Sequence, residues 1–239
     1  MGCVDDDGDG WDNAIDELPL TPTQWLDQDG DGYGDNATGI EADSCPGEAG
    51  TSTIDRFGCP DDDSDGVSNL SDAFPNDPTR TQDSDGDGYD DLEDNCIFVA
   101  GNSTADRTGC VDTDGDGYSD VTVPTNTTVG WDISDGADAF PIEVSQWADQ
   151  DGDGYGDNAS GFEADDCPTE EGYSNIGLFG CPDDDNDGTA QSSDAFPNDS
   201  TQWSDIDGDG FGDNPNGTTP DACPNVCLLY TSDAADEVQ

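Results

Sequence analysis

The chain has 239 residues, of which 60 are acidic and 3 basic (Arg56, Arg80, Arg107), with no Lys and no His, for a formal net charge of −57. That balance excludes nucleic acid and anionic membrane surfaces as partners, since both are held through Lys and Arg. Apolar residues make up 30 %, against roughly 45–50 % in globular domains, so the chain cannot fold around one large core.

Such a composition ordinarily belongs to a disordered chain. An internal repeat argues against disorder, because disorder does not require regularity. The Cys residues are its ruler. Cys45 and Cys59, Cys96 and Cys110, and Cys167 and Cys181 are each 14 apart; Cys3 matches the second member of such a pair and Cys223 the first. Units therefore run over residues 1–226 with breaks near 45, 96, 167 and 223. Each holds an Asp-rich loop, "DAFP" or "DELP", a linker, a second Asp-rich loop and Asp-x-Cys. Neither helical nor strand periodicity extends beyond a few residues, so turns and short extended pieces are expected. Only the Thr/Val-rich insert at 120–134 reads as strand-forming, a small hairpin.

Taken in chain order, the elements are eight loops. The first comprises Asp5, Asp7, Asp9, Trp11, Asn13 and Asp16, at positions 1, 3, 5, 7, 9 and 12. The third (Asp61, Asp63, Asp65, Val67, Asn69, Asp72), fourth (Asp83, Asp85, Asp87, Tyr89, Asp91, Asp94) and seventh (Asp183, Asp185, Asp187, Thr189, Gln191, Asp194) keep that spacing. Three others delay the last Asp by five residues. These are the second (Asp27, Asp29, Asp31, Tyr33, Asp35, Asp43), the sixth (Asp149, Asp151, Asp153, Tyr155, Asp157, Asp165) and the eighth (Asp205, Asp207, Asp209, Phe211, Asp213, Asp221). The fifth (Asp112, Asp114, Asp116, Tyr118, Asp120) carries the long insert and closes at Asp138.

This is the spacing of a calcium loop. Ca²⁺ takes six to eight hard oxygens at about 2.3–2.6 Å, and alternate residues of a tightly curled loop point carboxylates inward. The Gly at position 6 permits the turn, and position 7 contributes only its carbonyl, which leaves its side chain free. Zinc is disfavoured by the absence of His and of Cys-x-x-Cys pairs. Mg²⁺ is disfavoured because it demands octahedral geometry and keeps its waters. About eight or more Ca²⁺ ions are expected. Asn13, Asn69 and Gln191 replace Asp at position 9, which predicts weaker sites there.

EF-hands, dockerins and toxin-type nonapeptide repeats do not fit, for want of flanking amphipathic helices, of Lys-rich helices and of Gly-Gly-x-Gly-x-Asp. The stretches "DSDGDGYDDLEDNC" (83–96), "DRTGCVDTDGDG" (106–117) and "DRFGCPDDDSDGV" (55–67) instead resemble the thrombospondin type 3 repeat, nearly throughout residues 1–225. The resemblance implies an elongated rod with little helix or sheet, built around calcium ions and disulfides. It implies that Asp94 and its counterparts close one loop of each unit and the Asp of "DAFP" the other. The insert at 120–134 separates Asp138 from its loop, a departure from that family's pattern.

The Cys spacing and acidity fit an oxidising, extracellular setting. Each Cys pair closes a loop that the chain-entropy model values at roughly 3 kcal/mol. No apolar run is long enough to span a membrane. Met1 stands where Phe57 and Phe179 stand in the alignment of "MGCVDDDGDG" with "FGCPDDDSDG". The repeats are therefore expected to run on beyond both ends, with a secretion signal upstream. Residues 227–239, "CLLYTSDAADEVQ", resemble a translated sequencing adapter and are expected to be non-native, the alternative being an ordinary tail with a Cys223–Cys227 bridge. Asn36, Asn69, Asn102, Asn126, Asn158, Asn198 and Asn216 open Asn-x-Ser/Thr sequons, with Asn69 expected to stay bare. The position-7 aromatics, Phe74, Phe140, Phe196, Trp25, Trp147 and Trp203 are expected to form small clusters between neighbouring loops, the alternative being patches that dock another chain.

No catalytic constellation stands out. The expectation is a non-enzymatic, calcium-dependent structural protein of the cell surface: a stalk, or the subunit of an end-to-end filament, serving adhesion or matrix formation. The alternative is a calcium-stabilised linker in a larger secreted enzyme or adhesin. The expected partners are calcium, further copies of the chain, and other surface proteins.

Overall fold

A computed structural model describes residues 4–122 and 130–225. The chain divides into two compact units, Met1–Ala100 and Gly101–Gln239. As expected, almost all of it is turn and bend. Among the described residues the regular elements are a 3-10 turn at Ile133–Asp135 and two strands, β1 (Asn175–Ile176) and β2 (Leu178–Phe179).

The loops are irregular because their backbones alternate in handedness. Position 6 is Gly in all eight loops, with φ between 88° and 103°, well beyond the left-handed well near +57° that an L-residue can enter. Position 4 lies closer to that well. Ser64 (φ 67°) and Asn186 (φ 61°) occupy it in the third and seventh loops, where the other loops have Gly. The sequence rule at these two positions is therefore a backbone rule.

The interior is polar. Among the described residues the buried apolar ones are Cys59, Cys110, Cys181, Ala137 and Ala190, whereas the largest fully buried side chains are Gln24, Gln146, Gln202 and Asp138. Disulfides join Cys45 to Cys59 and Cys167 to Cys181, with Cα atoms 5.1 and 5.0 Å apart, and Cys96 and Cys110 are disulfide-bonded as well. Under each bridge a buried serine ties the turn: Cys59, Cys110 and Cys181 N–H donate to Ser52, Ser103 and Ser174 Oγ at 2.9–3.0 Å. Cys223 is exposed and outside any disulfide; residues 227–239 lie outside the described residues.

Apolar contacts form between successive loops. Trp11 stacks on Trp25 and Tyr118 on Trp147, at 6.1 and 5.1 Å between centroids, while Tyr33 meets Phe57 and Tyr155 meets Phe179 at 5.9 Å. Position 7 of one loop thus packs on an aromatic that precedes the next, as expected for small clusters. Phe74 instead lies under the Arg80 guanidinium, 3.7 Å away.

The strand expectation needs widening. In the insert, Thr122 and Trp131 exchange backbone hydrogen bonds of 2.8 and 3.1 Å as an isolated antiparallel bridge, and residues 123–129 lie outside the described residues. Among the described residues the named strands fall in a further stretch, one read as loop, where Asn175 pairs with Phe179 and Ile176 with Leu178. Gly177, at φ 82°, supplies the reversal. Asn175 and Ile176 N–H donate to Gly188 O at 2.9 Å, which tethers the hairpin to the seventh loop.

Candidate metal centres

Each loop is organised by its own carboxylates accepting backbone N–H groups. The position-1 Asp takes the N–H of position 4 on Oδ1 at 2.6–2.9 Å. Its Oδ2 takes the N–H of position 6 at 2.8–3.1 Å. The position-5 Asp takes the N–H of position 7 at 2.7–3.0 Å. These bonds curl the chain and bring carboxylate oxygens of Asp5, Asp7 and Asp9, of Asp27, Asp29 and Asp31, of Asp61, Asp63 and Asp65, of Asp83, Asp85 and Asp87, and of Asp112, Asp114 and Asp116 within 4.8 Å of one another, with three further such groups in the chain. The same bonds organise the loops beginning at Asp149, Asp183 and Asp205.

Two backbone bonds recur in all eight loops and fix where each loop closes. The N–H of position 9 donates to the carbonyl just before the loop at 2.7–2.9 Å, as Asn69 does to Pro60 and Asp120 to Val111. The N–H of the closing Asp donates to the carbonyl of position 8 at 2.8–3.0 Å. This second bond ignores spacing. Asp16 bonds Asp12 and Asp72 bonds Ser68 within one helical turn, Asp43, Asp165 and Asp221 bond Gly34, Gly156 and Gly212 across the five-residue expansion, and Asp138 bonds Ser119 across the insert. Asp138 thus joins its loop, 1 % exposed. Each closing Asp then takes the N–H two residues on, at 2.6–2.8 Å.

With one oxygen so fixed, the second points into the loop. Oδ2 of Asp7, Asp9, Asp63, Asp65, Asp85, Asp114, Asp116, Asp151, Asp185 and Asp187 is buried with no hydrogen-bond partner. So are both oxygens of Asp29, and Oδ2 of the closing Asp16, Asp43, Asp138, Asp165 and Asp221. A buried, unpartnered carboxylate oxygen costs several kcal/mol, so native chains do not accumulate them without a ligand. The donors are all hard oxygen, several anionic, converging within each loop. That set fits a hard dication.

The electrostatics agree. Burial, followed by the facing Asp31, Asp29 and Asp35, raises the Asp43 carboxyl above its ordinary value despite the Cys45 N–H. The same causes raise Asp94 and Asp194 and push Asp138 and Asp165 up to about 6. For Asp138 the facing carboxylates are Asp116, Asp114 and Asp120, which places this closer among the carboxylates of its own loop. Position-1 Asp83 moves the other way: burial would raise it, and the N–H groups of Gly88 and Gly86 outweigh that and lower it.

Position 9 divides the loops. In the compact loops and the insert loop its side chain is tied to position 2: Asn13, Asn69, Asp91, Asp120 and Gln191 accept the N–H of Asp6, Asp62, Ser84, Thr113 and Asp184 at 2.8–3.3 Å. In the expanded loops Asp35, Asp157 and Asp213 each keep a buried Oδ1 without a partner, although Asp213 also accepts the position-2 N–H of Ile206 on Oδ2 at 3.0 Å.

Two devices escaped the sequence reading. Gln24 is 1 % exposed. It donates from Nε2 to Asn36 O and Ile40 O at 3.2 Å and accepts Asn36 N–H at 2.9 Å. Gln146 and Gln202 do the same for Asn158 and Phe162, and for Asn214 and Thr218. A Cβ on Gly34, Gly156 or Gly212 would lie 2.0–2.3 Å from the Gln side chain, so position 8 must be Gly where the Gln enters. The signal was available as Gln-Trp three residues before Asp27, Asp149 and Asp205, where the compact fourth loop has Arg80. The second device is a carboxylate thirteen residues before position 8. Asp55 accepts Ser68 N–H and Oγ–H at 2.9 and 2.8 Å, and Asp106 accepts those of Ser119 at 3.0 and 2.6 Å.

Among the sequons, Asn36 and Asn158 commit their Nδ2 to Thr23 O and Ser145 O at 2.8 and 2.7 Å. Asn126 lies outside the described residues. No family model matches the chain, and no curated protein matches it.

Proposed function

We propose that the chain is an extracellular calcium-binding structural array of the thrombospondin type 3 kind, a non-enzymatic stalk whose fold depends on Ca²⁺. The observation that carries this reading is the set of buried, unpartnered carboxylate oxygens converging in the Asp-rich loops. Bound calcium gives those oxygens their missing partner and cancels the repulsion that raises the closing carboxyls. The ligands are the Asp residues at positions 1, 3, 5 and 12 with the carbonyl at position 7. Disulfides under each turn support an oxidising compartment. Among the described residues no helix is long and apolar enough to cross a membrane.

The test is equilibrium dialysis of the full chain against Ca²⁺, with Mg²⁺ in excess. About eight bound ions per chain are expected, together with an elongated scattering profile that loosens in EDTA. A chain that retains no calcium at millimolar concentration overturns the reading.

A further inference from the structure

We infer that the chain holds two chemically distinct classes of calcium site, set by whether the side chain at position 9 reaches the ion directly. This rests on the reading of the loops as calcium sites. In the expanded loops, Asp35 Oδ1, Asp157 Oδ1 and Asp213 Oδ1 are buried and without a hydrogen-bond partner. In the other loops the equivalent atoms are spent within the protein. Asp91 gives Oδ1 to Ser84 N–H and Oδ2 to Ser84 Oγ–H at 2.8 and 2.7 Å. Asp120 gives Oδ1 and Oδ2 to Thr113 in the same way at 3.2 and 2.5 Å, and Asn69 gives Oδ1 to Asp62 N–H at 2.8 Å.

The compact and expanded loops also differ in the path of the chain after position 9. In a compact loop, positions 8 to 12 form one helical turn, as the Asp94 N–H to Asp90 O bond of 2.9 Å shows. Position 9 lies against position 2 there, and also in the insert loop, where Asp120 bonds Thr113, and in the expanded eighth loop, where Asp213 Oδ2 accepts Ile206 N–H at 3.0 Å. In an expanded loop the buried Gln draws position 10 away: Asn36 N–H goes to Gln24 Oε1, and Asn36 O and Ile40 O accept from its Nε2. In all three expanded loops one oxygen of the position-9 carboxylate stays unpartnered, even in the eighth, where the other, Asp213 Oδ2, accepts Ser204 Oγ–H and Ile206 N–H at 2.7 and 3.0 Å. The closing Asp43 and Asp165, each 6 % exposed, present an unpartnered Oδ2 as well, a feature shared with Asp16 and Asp138 in the other loops.

Expanded loops therefore surround the ion with five carboxylates, at positions 1, 3, 5, 9 and 12. Compact loops and the insert loop supply four, with a water completing the shell at position 9. Calcium affinity follows ligand charge count, so the second, sixth and eighth loops fill first and the remaining five later.

The test uses the full chain. Calcium titration of the unsubstituted protein is expected to resolve three tight ions and a weaker remainder. The triple variant Asp35→Asn, Asp157→Asn, Asp213→Asn is expected to weaken the tight class about tenfold, while Asp91→Asn with Asp120→Asn moves neither class more than about twofold. Luminescence lifetimes of Eu³⁺ in H₂O and D₂O, which need no variant, are expected to show fewer bound waters for the first three equivalents than for later ones. Eight equivalent sites of equal hydration, or equal losses in the two variants, overturn the two-class inference and leave calcium binding standing. A chain that takes up no ion overturns both.

Discussion

Residues 55–72 and 177–194 fold the same loop with different fastenings. In the first, Asp55 grips Ser68 by N–H and Oγ–H. In the second, Gly177 turns a two-residue hairpin where Asp55 would stand, and Ala190 replaces Ser68. Both position-8 residues are buried, at 1 % and 0 % exposed, and both carbonyls accept the closing N–H of Asp72 or Asp194 at 2.9 Å. The lesson is that position 8 is the interior of these loops. It carries either a hydroxyl with its own acceptor or no hydroxyl at all, because a buried hydroxyl without a partner costs about 1–3 kcal/mol. The backbone bond it makes, and not the side chain that fills it, sets where the loop closes.

The largest expected effect ignores the difference between the two fastenings. Each site held at about 100 times its Kd contributes about 2.7 kcal/mol, so eight sites together exceed the net stability of 5–15 kcal/mol typical of a domain. Chelation is expected to abolish protease resistance in 55–72 and 177–194 alike. Mass spectrometry of the fragments checks it; a hairpin region surviving EDTA intact would show that β1 and β2 hold the loop without an ion. Next in size are the closers. Asp72→Asn and Asp194→Asn are each expected to remove one calcium ion and about 2–3 kcal/mol at millimolar calcium, read by dialysis and thermal melting. Equal losses sharpen the comparison, since the closers share one geometry under two fastenings.

Acidity should separate calcium-free from calcium-loaded protein. Burial and facing carboxylates raise Asp138 and Asp165 from 3.8 to about 6. In the metal-free chain a raised carboxyl binds its proton more tightly folded than unfolded. Stability is then full below the ordinary value and lost as pH rises through about 6. With calcium bound the slope reverses, because the ion competes with the proton. Urea midpoints between pH 4 and 7, with and without calcium, are expected to cross. Asp55 has the opposite sign: burial would raise it, and the hydrogen bonds from Ser71 and Ser68 outweigh that and hold it well below the usual carboxylate range. Its contribution is present above the ordinary value and lost as pH falls toward the folded one.

Much of the loop geometry was legible in the sequence because the carboxylates that one curled loop brings together recur at fixed intervals. Asp61, Asp63, Asp65 and Asp72 declare themselves by spacing and charge, and Gly66 by the backbone it permits. The irregular fold is implied by the same residues, since none of them suits a helix or a ladder. What stayed hidden were uncharged partners acting across distance. Gln24 sits twelve residues from the Asn36 N–H it accepts, and no periodicity marks a buried amide. Asp55 looks like one more acidic residue in an acidic chain until Ser68 is found in its grip. The hairpin at 175–179 was missed because two-residue strands fall below any periodic signal, and Gly177 reads as one more turn glycine.

The smallest expected effect tests the fastening itself. Ser68→Ala removes the Oγ–H bond to Asp55, keeps the N–H bond at 2.9 Å, and is expected to cost about 1 kcal/mol. Asp55→Gly leaves the buried Ser68 hydroxyl only the long 3.4 Å contact with Ser71 Oγ and is expected to cost about 2 kcal/mol. The double variant reproduces the pairing that Gly177 and Ala190 already use, so neither group is left waiting for the other. Its loss is expected to fall short of the sum of the singles by about 1 kcal/mol. Denaturant melts of the four proteins in saturating calcium measure that coupling. Strict additivity would mean that Asp55 and Ser68 are independent surface groups, and that the match between positions 55 and 68, and between 177 and 190, is a coincidence of composition.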